Sequence, residues 1–574
     1  MLAVINIFHS IYKIKNFSYM KLQNKMSGSL IISLLFALCL TFFSFDSQGS
    51  YKNYSYTLLR VLSENGKIKD GDLPDWFLLD PEKDGYEGVR TNAFYKYLST
   101  LSFVPERKDV IVAVIDSGFD IDHPDLKDNI WSNEKEINGA AGIDDDDNGF
   151  TDDFHGWNFL GDTHEIPYEV TREYYRLKKL NTSPTDAYFI KVQEEFENKK
   201  DDVFSSQSGI SETLNEYIKA ENTLREKNIS SDPQKLMEIS DELKGKYQDA
   251  ASIILGIYML YGTDKNDLIE LNDKFNTKAR VLFDSSEYVI SGENKELLLE
   301  INYGNNDVTE KTEEHGTHVS GIIGSKKTGQ AHFVKIMCLR AVPNEGDERD
   351  KDIGNAIRYA VDNGADIINM SAGKYFSPNP EFVAEAVKYA EDKGVLFVVS
   401  AGNDGKDITN IVNYPVKYEI TDGEKKYFTN MIVVGASSWM KQWSETKDPD
   451  NMNSKYDLAA SFTNYSDSVV DIFAPGVQIN STVPNDSYKR LSGTSMASPV
   501  VAGIAAVIKS YFPQLTAAQL KDVILSSVRM YDGLRVKVKG KSSKIPFSEL
   551  SKTGGVIDLI NAYKKANELY GSGN

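Results

Sequence analysis

A serine stands directly before an apolar, helix-like run near the carboxyl end of this 574-residue sequence. Ser495 lies in "GTSMASPVVAGIAAV", between a glycine-rich turn and that run. Serine is a common helix cap, and a lone serine at such a position indicates nothing more. It can act as a nucleophile if the chain also supplies a base, a carboxylate that orients the base, and donors for an oxyanion.

The candidate base is a histidine at the start of another predicted helix. His315 and His318 lie in "EEHGTHVSGIIG", whose apolar end predicts a helix beginning near His315. A zinc protease helix carries histidines at i and i+4 with a glutamate between them, whereas here the spacing is i, i+3. Metal ligation is therefore disfavoured. A neutral imidazole at His315 can accept the serine proton and return it to a leaving group.

Two polar residues follow apolar runs and can complete this chemistry. Asp116 ends "DVIVAVID", and Asn403 follows "VLFVVSAG". A buried carboxylate at Asp116 would hold the histidine in one tautomer. The Asn403 amide and the backbone N–H of Ser495 can both donate to a developing oxyanion. Either polar residue alone is more simply a buried or capping group, but together with a serine and a histidine they predict acyl transfer.

The elements that must position these residues follow a βαβα pattern. Buried strands are predicted in five apolar runs, 109–118, 333–342, 365–373, 395–403 and 431–438. Apolar residues at helical spacing lie between them, at 353–361 and 382–390. This pattern predicts an α/β fold with a mostly parallel sheet and helices on both faces, which binds ligands at the carboxyl ends of its strands.

Four short blocks carry a family resemblance. "VIDSG", "HGTHVSG", "SAGND" and "GTSMASP" contain Asp116, His315, Asn403 and Ser495 in that order. The sequence resembles the subtilisin-like serine proteases, the subtilases or peptidase family S8. The resemblance implies a subtilisin-like fold and a serine endopeptidase. By this resemblance, Ser495 forms the acyl-enzyme and His315 is the base. Asp116 orients the base, and Asn403 stabilises the oxyanion.

The resemblance also implies where a protein or peptide substrate binds. The segments that match the family's cleft are Ser371, Ala372 and Gly373, and Ser400, Ala401 and Gly402. The first would pair with the substrate as an added strand.

A long insertion separates the predicted aspartate from the predicted base. Residues 161–300 are rich in Glu, Lys, Asn and Tyr with helical stretches, and predict an inserted, mainly helical lobe. It could restrict access, bind a partner or stabilise the shell. The peptidase domain then has two parts, 75–160 and 301–565, followed by a tail, 566–574. A smaller, polar insertion is predicted around 417–456.

The amino-terminal segment has the order of a secretory signal peptide. Lysines precede the apolar "SLIISLLFALCLTFF" and the small, polar "SFDSQGS" follows it, so residues 1–49 are assigned to the signal. Translation from Met20 or Met26 would give a more compact signal, and an uncleaved signal anchor is the alternative. Residues 50–74 are a short segment before the peptidase domain. Export to a secreted, periplasmic or cell-surface location is expected.

Charge and cysteine content exclude other classes. Lys and Arg number 64 against 84 Asp and Glu, a net charge of −20, which argues against a nucleic-acid or anionic-membrane partner. A membrane contact is expected only through an uncleaved signal segment. Cys39 and Cys338 are the only cysteines, so a disulfide framework is excluded. The sequence makes no prediction of oligomeric state.

An acidic loop has the spacing of a calcium site. "DDDDNGFTDD" places Asp144, Asp146, Asn148 and Asp152 at positions 1, 3, 5 and 9 of a calcium-loop pattern. Position 12 is His155 rather than glutamate. Structural Ca²⁺ is the predicted cofactor, and a solvated acidic loop is the alternative.

A different class of function stays open at this point. A catalytically silent, subtilase-fold binding protein at the cell surface could use the helical lobe as its interaction module. The presence of all four catalytic residue types disfavours it. An enzyme that acts on esters or transfers peptides would share the acyl intermediate.

Overall fold

The computed structural model describes residues 73–571 except 262, 287–289, 291, 295–296, 302 and 442–456. The predicted signal peptide, with Cys39, and nearly all of the 50–74 segment lie outside the described residues. Within the described residues, no helix is long and apolar enough to cross a membrane.

The chain forms two compact units. The described part of one is Glu197–Arg280, which falls inside the predicted insertion. The other contains Leu73–Phe196 and the chain from Val281 onward. The assignment of all of 161–300 to a separate lobe stays a prediction.

Among the described residues, nine strands form the main sheet of the larger unit. They are β1 Ile111–Asp116, β2 Gly156–Asn158, β3 Lys335–Arg340, β4 Ile367–Met370, β5 Leu396–Ser400, β8 Met431–Ser437, β9 Ile472–Pro475, β12 Arg529–Met530 and β15 Gly555–Val556. Their order across the sheet is β12-β15-β9-β8-β5-β4-β1-β3-β2. Neighbouring strands are parallel except β12 with β15. The mostly parallel sheet of the sequence prediction is confirmed.

In the part of the chain that the structure describes, three hairpins stand outside the main sheet. They pair β6 Tyr418–Thr421 with β7 Glu424–Tyr427, β10 Ile479–Val483 with β11 Ser487–Leu491, and β13 Arg535–Val536 with β14 Ile545–Pro546. The first hairpin forms the first polar stretch of the insertion predicted around 417–456, and its exposed residues explain that composition. The buried strand β8 of the main sheet interrupts the predicted range, and residues 442–456 lie outside the described part of the chain.

Thirteen α-helices occur in the described residues. They are α1 Thr91–Leu98, α2 Glu134–Ile137, α3 Glu169–Lys179, α4 Ala187–Arg225, α5 Pro233–Ile239, α6 Lys246–Tyr261, α7 Lys265–Phe283, α8 His315–Gly324, α9 Asp350–Asp362, α10 Pro380–Asp392, α11 Thr494–Tyr511, α12 Ala517–Ser526 and α13 Leu559–Tyr570.

Helices cover both faces of the main sheet. The apolar stripes of α9 and α10 pack against one set of alternating strand residues, including Ile115, Leu339 and Phe397. The largely apolar α11 packs across β4, β5 and β8. Because both faces are covered, the central strands are continuous apolar runs rather than alternating ones.

The helical unit has its own core. Ile210, Tyr217, Leu224, Ile254 and Leu268 are among the side chains buried in it. They come from α4, α6 and α7, so the apolar faces of these amphipathic helices are buried against one another within this unit.

Candidate active site

Asp116 and His315 form a hydrogen-bonded pair at the end of β1. His315 Nδ1 lies 2.7 Å from Asp116 Oδ1. The aspartate side chain is 2% exposed and the imidazole 31% exposed. Asp116 Oδ1 also accepts the backbone N–H of Ser117 at 2.8 Å, which fixes the carboxylate. One ring nitrogen is thus held while the other, Nε2, is left for chemistry.

A glycine allows this close approach. Gly316, the second residue of α8, lies so near β1 that an added Cβ would be 2.2 Å from the Gly118 carbonyl oxygen and 3.2 Å from Asp116 Cβ. The backbone leaves no space for a side chain there. The Gly after His315 therefore lets the helix start against the carboxyl end of the strand.

The environment of His315 favours its charged form. Burial lowers the pKa of His315, but attraction to the Asp116 carboxylate and their hydrogen bond outweigh burial and raise the pKa to about 9. The same attraction stabilises the imidazolium that forms when the ring takes a proton.

Ser495 is not the cap of its helix. It is the second residue of α11, and the cap position is Gly493, which makes no side-chain capping bond. Ser495 Oγ instead donates to the Ser371 carbonyl oxygen at 3.1 Å, and Ser371 Oγ donates to the Ser495 carbonyl oxygen at 2.9 Å. The side chain is therefore free of a helix-capping role.

Neighbouring strands bring the two pairs together. Ile115 of β1 is in register with Met370 of β4, so Asp116 and Ser371 follow at the same level of adjacent strands. Adjacent strands are about 4.8 Å apart. Within the described chain, Ser495 Oγ makes no hydrogen bond to His315. Such a bond commonly tightens only when substrate is bound.

Asn403 is held with its amide nitrogen toward Ser495. Asn403 Oδ1 accepts the backbone N–H of Thr494 at 2.8 Å and the Thr494 hydroxyl at 2.9 Å. An added Cβ on Gly493 would lie 3.5 Å from Asn403 Nδ2 and 3.6 Å from the Ser495 nitrogen. Two donors therefore border the same small space at the start of α11.

The two predicted binding segments follow β4 and end β5. Residues 371–373 continue past the last residue of β4, Met370. In the described part of the chain, the N–H and C=O groups of Ala372 and Gly373 have no hydrogen-bond partner. Ser400 is the last residue of β5, and Ala401 and Gly402 follow it. The first segment thus offers open backbone groups to an added strand.

The sequence model that describes the subtilase family matches residues 107–573 of this chain. The chain belongs to the subtilase family. It is 38% identical over 202 residues to a thermophilic serine proteinase of Bacillus sp. (strain AK1), covering 34% of this chain and 42% of that protein. It is 33% identical over 219 residues to subtilisin DY of Bacillus licheniformis, covering 37% of this chain and 69% of the relative.

A solved structure is also similar to this subtilase. A cold-adapted subtilisin-like serine proteinase is 28% identical, with coverage of 44% of this chain and 76% of that one and a TM-score of 0.33.

Three residues of this subtilase that the sequence reasoning missed shape the second binding segment. Asn464 Nδ2 donates to the Ala401 carbonyl oxygen at 2.9 Å, and the Tyr375 hydroxyl bonds to Asp404. Asn413 Nδ2 also donates to the Ala401 carbonyl oxygen, at 3.5 Å. None of the three lies in the four motif blocks, and only Asn464 falls in a further family-like stretch, "FTNYSDS".

His318 has a structural place in this subtilase. Its Nε2 contacts the carbonyl oxygens of Ile479 and Lys489, each at 3.0 Å. Burial lowers the pKa of His318 to about 3, so the ring is neutral. The ring links α8 to the β10–β11 hairpin.

The acidic loop brings three carboxylates together. Oxygens of Glu136, Asp144 and Asp146 lie within 4.8 Å of one another. Asp152 Oδ1 is buried without a hydrogen-bond partner among the described residues, whereas Oδ2 accepts the Gly142 N–H. The three clustered oxygens are hard donors of the kind that Ca²⁺ prefers. Of the predicted ligands, Asp144 and Asp146 belong to this group and Asp152 does not.

Two details of the loop differ from the calcium pattern. Glu136, which lies on α2 before the motif, supplies a carboxylate that the spacing rule could not reveal. Its oxygens also accept the N–H groups of Asp145 and Asp152, at 2.7 and 2.8 Å. Asn148 Oδ1 accepts the Phe150 N–H at 2.7 Å.

Proposed function

We propose that this subtilase is an exported serine endopeptidase that hydrolyses peptide bonds through an acyl-enzyme on Ser495. The observation that carries the proposal is that two hydrogen-bonded pairs lie at the same height at the ends of adjacent strands. These pairs are His315 with Asp116, and Ser495 with Ser371. Named serine proteinases among the similar proteins support the reaction class.

His315 acts as general base and then general acid. Its Nε2 takes the proton of Ser495 as Oγ attacks the scissile carbonyl carbon, and later returns that proton to the leaving amine. Asp116 holds the opposite nitrogen and stabilises the imidazolium between the two steps. Water then attacks the acyl-enzyme with the same base, and Ser495 is regenerated.

Asn403 stabilises the oxyanion of each tetrahedral intermediate. Its Oδ1 is occupied by Thr494, which directs Nδ2 toward the space beside the Ser495 N–H. Donors that are already aligned cost no reorganisation during reaction. The substrate backbone pairs with the open groups of Ala372 and Gly373, and Ser400, Ala401 and Gly402 form the other wall.

The acidic loop binds structural Ca²⁺. Glu136, Asp144 and Asp146 would hold the ion. Asn148 and Asp152 lie beside them, and their N–H groups donate to Asp144 and Glu136. When bound, Ca²⁺ would supply positive charge that ties the loop to α2 and takes no part in peptide hydrolysis. The carbonyl oxygen of Phe154, the residue after this loop, accepts the Asn133 N–H. An ion that fixes the loop would therefore also fix the chain that leads into β2.

Export rests on the signal-like segment at residues 1–49. Detection of the chain outside the cytoplasm, with a mature amino terminus near residue 50, tests it.

Cleavage of an unfolded protein substrate tests the enzymatic proposal. The purified chain and its Ser495→Ala variant are incubated with reduced, alkylated casein, and the products are identified by mass spectrometry. Internal cleavage by the unmodified chain alone is expected. If the folded protein binds casein without cleaving it, the catalytically silent binding protein becomes the better account.

A further inference from the structure

The helix that carries Ser495 does not supply one of its own hydrogen bonds. In an α-helix the carbonyl oxygen of each residue accepts the N–H of the fourth residue after it. The fourth residue after Ser495 is Pro499, which lies inside α11 and has no N–H. The Ser495 carbonyl oxygen therefore needs a donor from another part of the chain.

The residue that follows β4 supplies this donor. Ser371 Oγ donates to the Ser495 carbonyl oxygen at 2.9 Å, and Ser495 Oγ donates to the Ser371 carbonyl oxygen at 3.1 Å. The nucleophile is thus tied to the end of the sheet through both its hydroxyl and its carbonyl group. During catalysis the hydroxyl must leave this partner for His315, and the carbonyl group alone then keeps the tie.

Two buried side chains orient the Ser371 hydroxyl. Asn369 Nδ2 donates to Ser371 Oγ at 3.1 Å, and Ser498 Oγ donates to Asn369 Oδ1 at 2.6 Å. Asn369 and Ser498 are both inaccessible to solvent. Because Ser371 Oγ accepts the Asn369 amide, its own hydrogen is left to donate to the Ser495 carbonyl oxygen. The three bonds form a relay that runs from Ser498 through Asn369 and Ser371 to Ser495.

The relay joins the first turn of α11 to the carboxyl end of β4. Ser498 and Ser495 are three residues apart on α11, so they lie on the same face of the helix. Strand β4 pairs with β1, and Asp116 of β1 is at the same height as Ser371. The relay therefore fixes the nucleophile relative to the strand that carries the partner of the base.

We propose that Asn369 and Ser498 are positioning residues that set the distance from Ser495 Oγ to His315 Nε2. This inference rests on the proposed endopeptidase function. Without Ser498 the Asn369 amide loses its anchor, and without Asn369 the Ser371 hydroxyl is free to rotate. In either case α11 is held less closely to β4. A misplacement near 1 Å can cost about 10²-fold in rate.

Truncation of each side chain tests the proposal. Ser498→Ala and Asn369→Ala are assayed on an internally quenched peptide copied from a casein site that the unmodified chain cleaves. Each variant should lose about 10–10²-fold in kcat with less than about 2-fold change in KM, because the binding segments keep their backbone. The rate of Ser495 acylation by a fluorophosphonate should fall by the same factor. The double variant should lose no more than the weaker of the two single variants, since either truncation breaks the same relay.

The pH profile separates misplacement of the nucleophile from damage to the base. The hydrogen bond between Asp116 and His315 is not part of the relay. The kcat/KM value of both variants should therefore rise with pH over the same range as in the unmodified chain. A displaced rise would show a changed environment of His315 and would contradict the assigned roles.

Two buried residues of the same types serve as controls. Ser510 lies on α11, and its hydroxyl donates to the Val507 carbonyl oxygen at 2.8 Å. Asn430 lies directly before β8, and its Nδ2 donates to the Val395 carbonyl oxygen at 2.9 Å. Asn430 is therefore at the amino end of the strands, away from the site. Ser510→Ala and Asn430→Ala should lower the thermal midpoint but leave kcat within about 2-fold of its unmodified value.

Two results would overturn the proposal. One is a folded Ser498→Ala variant that keeps its kcat and its rate of acylation, and the other is an equal loss of kcat in the controls. Ser498→Ala removes a single oxygen atom, so it decides the question if Asn369→Ala does not fold. If the unmodified chain neither cleaves casein nor takes up the fluorophosphonate, the endopeptidase proposal itself has failed.

Discussion

Asp116 Oδ1 lies 2.7 Å from His315 Nδ1, although 199 positions of sequence separate the two residues. The pair forms because β1 ends where α8 begins, and Gly316 permits the contact. Six helices, α2 to α7, lie in the described part of the intervening chain, and part of it forms a compact unit with a core of its own. A long insertion is therefore compatible with an intact pair.

The raised pKa of His315 predicts that kcat/KM rises with pH mainly in the alkaline range. Catalysis needs the neutral ring, so kcat/KM should rise with pH through a value above the ordinary 6.5, toward about 9. Asp116→Asn removes the group that favours the imidazolium. The limb should then shift to lower pH while the maximum falls by about 10⁴-fold. A pH–rate profile with an unshifted limb in the variant would contradict this.

The start of α8 should tolerate no side chain beside His315. Gly316→Ala places a Cβ against the Gly118 carbonyl oxygen, which moves the imidazole relative to Asp116. A misplacement near 1 Å can cost about 10²-fold in rate. Steady-state kinetics should show that loss in kcat. The matched control is Gly256→Ala on α6, where an added Cβ meets nothing within 4 Å, and an equal loss there would reject the explanation.

Asn403 should act on the transition state alone. Asn403→Ala removes the Nδ2 donor, and kcat should fall by about 10²–10³-fold, equivalent to about 2.7–4 kcal/mol, with little change in KM. Asn363→Ala at the end of α9 serves as control. A rise in KM at constant kcat would instead make Asn403 an ordinary substrate-binding residue.

The carboxylate cluster predicts stabilisation by Ca²⁺. At a Ca²⁺ concentration 100 times Kd, binding to the folded chain alone adds about 2.7 kcal/mol to the free energy of unfolding. The thermal midpoint should rise with CaCl₂ and fall with EDTA. Glu136→Gln or Asp144→Asn should abolish this difference.

The control for the cluster is an acidic neighbour outside it. Asp147 is exposed and lies between Asp146 and Asn148, so Asp147→Asn changes the loop charge equally. It should keep the calcium response. If Glu136→Gln, Asp144→Asn and Asp147→Asn all change the calcium-dependent shift of the thermal midpoint equally, the effect is one of loop charge and not of a specific site.

Local patterns were sufficient to predict the central sheet. The five predicted apolar runs each contain a strand of the sheet, and the helix at His315 begins at the predicted residue. These predictions succeed because a strand buried on both faces is apolar throughout and short. The predicted strands 365–373 and 395–403 end earlier, at Met370 and Ser400, because the chain leaves the sheet there to form the binding segments.

Long-range contacts were beyond the reach of local patterns. Glu136 joins the acidic cluster from a separate helix, and Glu169 meets Lys374 across 205 positions. No sequence periodicity identifies either partner. Charged residues are mostly exposed, so a charged residue in a sequence is read as a surface residue unless its buried counter-charge is known. Local patterns therefore indicated the candidate residues of the four motif blocks, but not the long-range partners Glu136 and Glu169.

Acylation of Ser495 by a fluorophosphonate tests the central claim most directly. The reagent labels a serine hydroxyl only where a base and an oxyanion site activate it. Peptide mapping should find a single labelled serine, Ser495, in the unmodified chain, and no label in Ser495→Ala of equal thermal stability. A folded, calcium-loaded chain that takes up no label, or takes it up at another serine, would contradict the account.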